Sequence, residues 1–484
     1  MAFEMGPRRG IYADVSEEMK RVAPISDDEA AHLEKFDLIY RSLCALLYNY
    51  VPTSGHPGGS ISSGRFVAGI LYDSMDYDPS DPDRADADIC SYAAGHKALG
   101  LYAMWALRNE VMRIGAPALL PRDERMQLRL EDLLGFRRNP VSKTPLFTKF
   151  RSKALDGHPT PATPYVRLST GASGVGIATS LGLAFGAADR YGKDAPRVHI
   201  VEGEGGMTPG RVAEAFASAG TSSLGNAIVH VDWNQASIDS NRVCRDGNEP
   251  GDYVQWTPAE FARLYDWNVV YVPDGKDFRQ VIAAQRLALS IDNGQPTAIV
   301  YRTVKGWQYG IEGRLSHGAG HKLCSDGFYK ALAPLLDSEG GDLPKCSGEQ
   351  RCKGGKVKEV YEECFWEALS VVRASLEREK ATVSWLAARL KGSKERLDRR
   401  GRKPRDGAPD ISRLYKAAEG SSGKIPAELT LSPGSSTTLR GELGRVLHYY
   451  NVQSGGAIFG AAADLLGSTS VNELAKGFPE GFFN

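Results

Sequence analysis

The chain has 484 residues, enough for two or three domains that each bury a core. Its 59 basic residues balance 59 acidic ones, so no global field argues for nucleic acid or an anionic membrane surface as partner. The sequence has no apolar run near the ~18 residues needed to cross a bilayer, and the N-terminus MAFEMGPRRG lacks a signal-peptide core. Seven scattered cysteines, an odd number, read as reduced thiols, and the expected compartment is the cytoplasm.

In chain order, a lead-in precedes a helix whose apolar positions run from Leu33 to Leu46 at near-helical spacing over residues 27 to 48. It ends in a Gly- and Pro-rich turn, Ser54-Gly55-His56-Pro57-Gly58. Ala94-Gly95-His96-Lys97 follows. The mixed charges of Arg122 to Arg125 read as a solvated face. Gly157-His158-Pro159 then leads to Ser169-Thr170-Gly171-Ala172-Ser173-Gly174-Val175-Gly176, a glycine-rich loop entering a helix.

The most informative stretch spans residues 197 to 239. A β-type run, Val198 to Val201, leads to Gly203-Glu204-Gly205, and a second, Ala227 to Val231, leads to Asp232-Trp233-Asn234. In a parallel sheet both strand ends face one crevice, so Glu204 and Asn234 converge although 30 positions separate them (234 − 204). A carboxylate, an amide oxygen and backbone carbonyls suit a hard cation that draws its other ligands from phosphate and water. Further strands at Asn268 to Val272 and Thr297 to Tyr301, with a helix from Phe278 to Ile291 between them, imply an open parallel α/β sheet with helices on both faces.

Residues 1 to 336 form the expected first domain, 337 to 436 a helical and Gly/Pro/Ser-rich linker, and 437 to 484 the start of a second, incomplete α/β domain. Within the linker, Lys391 to Arg405 holds eight Lys or Arg without interleaved aromatics, so it reads as solvated rather than as a nucleic-acid contact.

These motifs resemble the transketolase family, whose Gly-Asp-Gly to Asn motif binds thiamine diphosphate. The resemblance covers residues 30 to 330, with a weaker match over 438 to 484. It implies a metal held by Glu204, Asn234 and the Ala236 carbonyl, Mg2+ or alternatively Ca2+ or Mn2+. It implies cofactor contacts from His96, Gly171, Ser173, Gly174, Gly203, Glu204, Gly205, Asn234, Ile238, His317 and Asp464, with Ile238 propping the cofactor. It implies substrate or catalytic roles for His56, His96, His158 and His317. Departures are Glu204 for the family's Asp, Ser173 for a Leu, and Pro209 for a Glu that links two active sites.

Ala457 to Ser468 resembles the first strand and loop of the family's second domain, and Phe478 to Asn484 the approach to its catalytic Glu, which this sequence lacks. The expected protein is therefore the cofactor-binding subunit of a split, transketolase-like transferase. A second chain would supply the rest of the pyrimidine-binding domain and the C-terminal domain, in a heterotetramer or dimer of heterodimers, and pass a two-carbon ketol unit from a ketose or its phosphate to an aldose. A 2-oxoacid or specialised ketol transferase component, and a non-catalytic assembly subunit, are the alternatives.

Overall fold

The computed structural model describes residues 6–50, 56–137, 144–318, 321, 325–339, 343, 357–420 and 423–479. Six strands form one all-parallel sheet: β1 (Tyr12–Asp14), β2 (Ile89–Tyr92), β3 (Val198–Gly203), β4 (Ala227–Trp233), β5 (Asn268–Val272) and β6 (Thr297–Arg302), in the order β1-β5-β6-β4-β3-β2. Every residue of β3 and β4 is buried, as expected for a parallel sheet covered on both faces. The four interior strands lie where the β-branched runs placed them. The two edges, β1 and β2, are three and four residues long, too short to show a period in the sequence.

The chain divides into two compact units, one formed by Met1–Phe185 and Pro196–Gly401, the other by Gly186–Ala195 and Arg402–Asn484. In the first, helix Asp27–Tyr50 packs against helices Pro57–Gly69 and Ala98–Gly115 and against two long helices, Val357–Arg378 and Lys380–Arg400. Residues 357 to 400 are thus part of the first unit rather than linker. Phe365, Leu369, Val372, Leu386 and Leu390 share one apolar cluster with Leu33, Phe36 and Leu43. The basic stretch is exposed at Lys391, Arg399 and Lys403 but partly paired with the first unit's carboxylates. Arg396 and Arg400 each reach Asp76 at 2.6 Å, Arg389 reaches Asp73 at 2.7 Å, and Lys394 pairs with Asp78. Burial pushes the Asp76 carboxyl upward, and the two arginines more than reverse that, holding it below the usual range.

Cys44, Cys90 and Cys244 are buried free thiols, whereas Cys364, fully buried, is disulfide-bonded, which corrects the expectation of reduced cysteines at that position. No described helix is long and apolar enough to cross a membrane.

A polar chain crosses the middle of the sheet. His199 Nδ1 lies 2.9 Å from His230 Nε2, His230 Nδ1 lies 3.0 Å from Tyr301 Oη, and Gln285 donates to that hydroxyl at 3.2 Å. Burial pushes His199 down to about 4 and His230 down as well, so both are neutral in the fold while the unfolded chain protonates near 6.5. Stability is therefore present above pH 6.5 and lost as pH falls towards 4. We expect urea unfolding at pH 5 to show about 2 kcal/mol less stability than at pH 7 from His199 alone, at about 1.4 kcal/mol per unit. The His199→Gln variant should lose less over that interval, and a wild-type profile flat from pH 7 to 5 would contradict the account.

The second unit contains helices Ser412–Gly420 and Leu439–Ser454. Residues 457 to 468, expected to begin a sheet, form no strand. A lone strand has no ladder to satisfy its N–H and C=O groups, and Phe459 and Leu465 stand about 60 % exposed in this unit. Residues 480 to 484 of the second motif lie outside the described residues.

Candidate active site

The C-terminal ends of β3 and β4, paired in register from Val198↔Ala227 to Gly203↔Asp232, open into a cavity of about 460 Å3. Ten of the residues singled out in the sequence line it: His56, His96, Gly171, Ser173, Gly203, Glu204, Gly205, Asn234, Ala236 and His317. The parallel register brings Glu204 and Asn234 together, and the Asn234 N–H points at Glu204 Oε2 from 3.4 Å. Asn234 Oδ1 accepts the Ala236 N–H at 3.0 Å, a tight local turn that holds the amide oxygen at the strand end.

Glu204 is only 2 % exposed, and its Oε1 is buried without a hydrogen-bond partner among the described residues. Burial, then the neighbouring Asp232 carboxylate, pushes Glu204 up to about 7. A buried acceptor left unsatisfied is costly, and a cation at the cavity wall is the natural remedy. Among the described residues no three or more His, Cys, Asp or Glu are arranged to hold a metal ion, so a metal here would depend on Glu204, Asn234, a carbonyl and outside oxygens.

Three imidazoles gather in the same lining. The His56 and His317 ring centroids lie 4.4 Å apart, His56 and His96 5.2 Å, and His96 and His317 6.5 Å. His56 Nδ1 is 3.1 Å from the His317 carbonyl. Burial pushes His56 down to about 4, His317 down to about 3, and His96 well below its ordinary value, so each remains a neutral ring able to donate and accept. Gly95 sets this wall: a Cβ there would lie 2.5 Å from the Gly171 nitrogen, so only glycine lets the 169 to 174 loop dock beside His96.

Three expected contacts of this unit lie outside the lining, His158, Gly174 and Ile238. His158 is outside the cavity, its ring against the back of Gly171, where a Cβ would meet it at 3.2 Å. Gly174, also outside the lining, starts the turn into helix Val175–Tyr191 with φ +79° and lies beside Val212. Ile238 is 63 % exposed, because the Ser237 hydroxyl accepts the Asp239 and Ser240 N–H groups and turns that loop outward; it props nothing in the cavity. Asp464 belongs to the second unit, where it is exposed and accepts the Leu465 N–H at 2.7 Å.

Sequence reasoning gave no role to Lys97, Asp232 and Lys305. Asp232, fully buried, receives Lys97 Nζ and Ser62 Oγ at 2.6 Å, Asn234 Nδ2 at 2.9 Å and the Thr303 hydroxyl. Lys305 Nζ donates to the Ala236 carbonyl at 3.1 Å and lies 2.7 Å from His317 Nδ1. A hint existed in two polar residues two positions apart at the end of one apolar strand, Asp232 and Asn234, since the strand's period of two puts both on one face.

Residues 125–327 match the family model described as transketolase, thiamine diphosphate binding domain. Over those residues the chain is similar to the transketolase family. Transketolase-like protein 2 of Mus musculus is 30% identical over 254 residues, 52% of this chain and 34% of that protein. The chain thus spans about a third of the length of the curated relatives it matches. Transketolase from Leishmania mexicana superposes with a TM-score of 0.61 at 22% identity, over 92% of this chain and 57% of that one. Transketolase from Pichia stipitis in complex with sedoheptulose-7-phosphate gives 0.58 at 22%, over 90% and 56%. At such identities the structural likeness speaks for the fold, and the transketolase sheet is what the six parallel strands build.

Proposed function

We propose that this chain binds thiamine diphosphate and a divalent cation in the cavity at the ends of β3 and β4, as the cofactor-holding part of a transferase that moves a two-carbon ketol unit. The observation that carries the reading is the orphaned Glu204 Oε1 facing the same space as Asn234 and Ala236. These three residues would hold the metal, with the diphosphate beside Gly203, Gly205 and the start of helix Ala98–Gly115. The cofactor, when bound, supplies the carbanion chemistry of cleaving and forming the bond beside a ketose carbonyl. His56, His96 and His317, neutral and mutually close, would bind sugar hydroxyls and move a proton between them. The family match supports this assignment, and the sugar-phosphate complex of the Pichia stipitis relative supports a ketose phosphate as donor.

The reading extends to a second polypeptide that completes the pyrimidine-binding domain, supplies its Glu and adds the C-terminal domain. The test is reconstitution. The chain is mixed with a polypeptide carrying those parts, and glyceraldehyde phosphate or erythrose phosphate formed from a ketose phosphate is measured with and without thiamine diphosphate. Turnover is expected only in the complete mixture with the cofactor. A tight complex that never turns over would instead favour the assembly-subunit alternative, to which Pro209, the N-cap of helix Gly210–Thr221 in place of a linking Glu, already lends some weight.

A further inference from the structure

Two lysines, Lys97 and Lys305, line the cavity. Lys97 is 1 % exposed and lines it. Its stem passes Gly59, where a Cβ would touch Cε at 3.3 Å, and its Nζ ends near Gly203 and 2.6 Å from Asp232 Oδ2. That contact uses one of three N–H donors. Lys305, 4 % exposed, holds the carbonyl of Ala236, the same carbonyl the family resemblance assigns to the metal. The 18-residue helix Ala98–Gly115 begins one residue after Lys97 and turns the positive end of its dipole to the same side. Together the two lysines bring the charge of one divalent ion to the space where the diphosphate would sit. Asp232 pairs with Lys97, and Glu204 shares the lining with both lysines.

The geometry points to a diphosphate site that carries its own cations: Lys97 and Lys305 take over much of the electrostatic work of the metal, so this chain binds a diphosphate with little need of a divalent ion. The inference rests on the diphosphate reading above. Lys305 and a metal compete for the Ala236 carbonyl, and an ammonium on that carbonyl leaves an incoming ion only Glu204 and Asn234 from the protein. Charge-assisted N–H···O contacts to phosphate oxygens replace metal–oxygen bonds, as a lysine does in other phosphate cradles.

Calorimetric titration of the full chain with inorganic pyrophosphate and with thiamine diphosphate, each in EDTA and in Mg2+, tests this. Wild type is expected to bind both ligands in EDTA within about fivefold of its affinity in Mg2+. Lys305→Met, and the double variant Lys97→Met with Asp232→Asn that leaves no buried charge unpaired, should each weaken binding in EDTA by about tenfold or more and make Mg2+ strongly stimulatory. Circular dichroism confirms that each variant is folded. Wild-type binding that appears only with Mg2+, or folded variants that bind in EDTA like wild type, overturns the inference while keeping the diphosphate site. Failure of both ligands in both buffers overturns the diphosphate reading and this inference with it. Pyrophosphate binding in EDTA without thiamine diphosphate binding upholds the anion site and overturns the cofactor assignment alone.

Discussion

Replacing Lys97 by Met is expected to cost the folded chain about 3 to 5 kcal/mol, because it strands the Asp232 carboxylate in the core without its cation. Asp232 is fully buried and Lys97 is its sole ion-pair partner among the described residues, at 2.6 Å. The hydroxyls of Ser62 and Thr303 and the Asn234 amide remain, so the loss should fall towards the lower end of that range. Met fills most of the lysine stem, so little of the loss comes from a cavity. Adding Asp232→Asn removes the stranded charge, and the double variant should regain more than half of what the single one lost. A single variant as stable as wild type at pH 7.5 would show that the pair contributes nothing net.

The second large effect concerns helices Val357–Arg378 and Lys380–Arg400. A chain ending at residue 356 is expected to lose cooperative unfolding and aggregate, whereas one ending at Gly401 should keep a sharp transition. Phe365, Leu369, Val372, Leu376, Val383, Leu386, Leu390 and Leu397 are each at most 1 % exposed. At roughly 1.5 kcal/mol or more per buried side chain of this size, those eight side chains together account for about 12 kcal/mol, which is as large as the whole net stability of a typical domain. Urea titration followed by tryptophan fluorescence distinguishes the two truncations. A 356-residue chain with an intact transition would return these helices to the status of a linker.

The contrast between the expected linker and these helices shows where a sequence stops being readable. The apolar face from Val357 to Leu376 was visible, because its period lies within the helix. What it packs on was not. Asp76 and Asp78 stand more than 300 positions before Arg396 and Lys394, and nothing local marks either set as paired. For the same reason β3, β4, β5 and β6 were legible from their β-branched runs, while β1 and β2, which exist because a longer strand accepts them at an edge, were not. In the site, donors at strand ends could be named because topology sends all parallel strand ends to one rim. Lys97 and Lys305 arrive from a helix start and a loop, and their meeting with Asp232 and Ala236 is purely tertiary. Ile238 lies outside the lining for the opposite reason: a matching position in a motif fixes a place in the chain, and the Ser237 turn carries the local backbone away from the cavity.

The strand order has a consequence for how the polypeptide acquires its shape as it leaves the ribosome. β1 hydrogen-bonds to β5, with Tyr12 opposite Val269, and β2 waits for β3, with Ile89 opposite Val198. Translation must therefore run past residue 302, the end of β6, before either edge of the sheet has a finished interior to dock on. Until then the apolar helices of the first 115 residues have no sheet beneath them, and such long-range closure is slow. Nascent chains of this length should occupy chaperones that shield hydrophobic surface, and release from them should wait until β6 and then the helices ending at Arg400 have emerged.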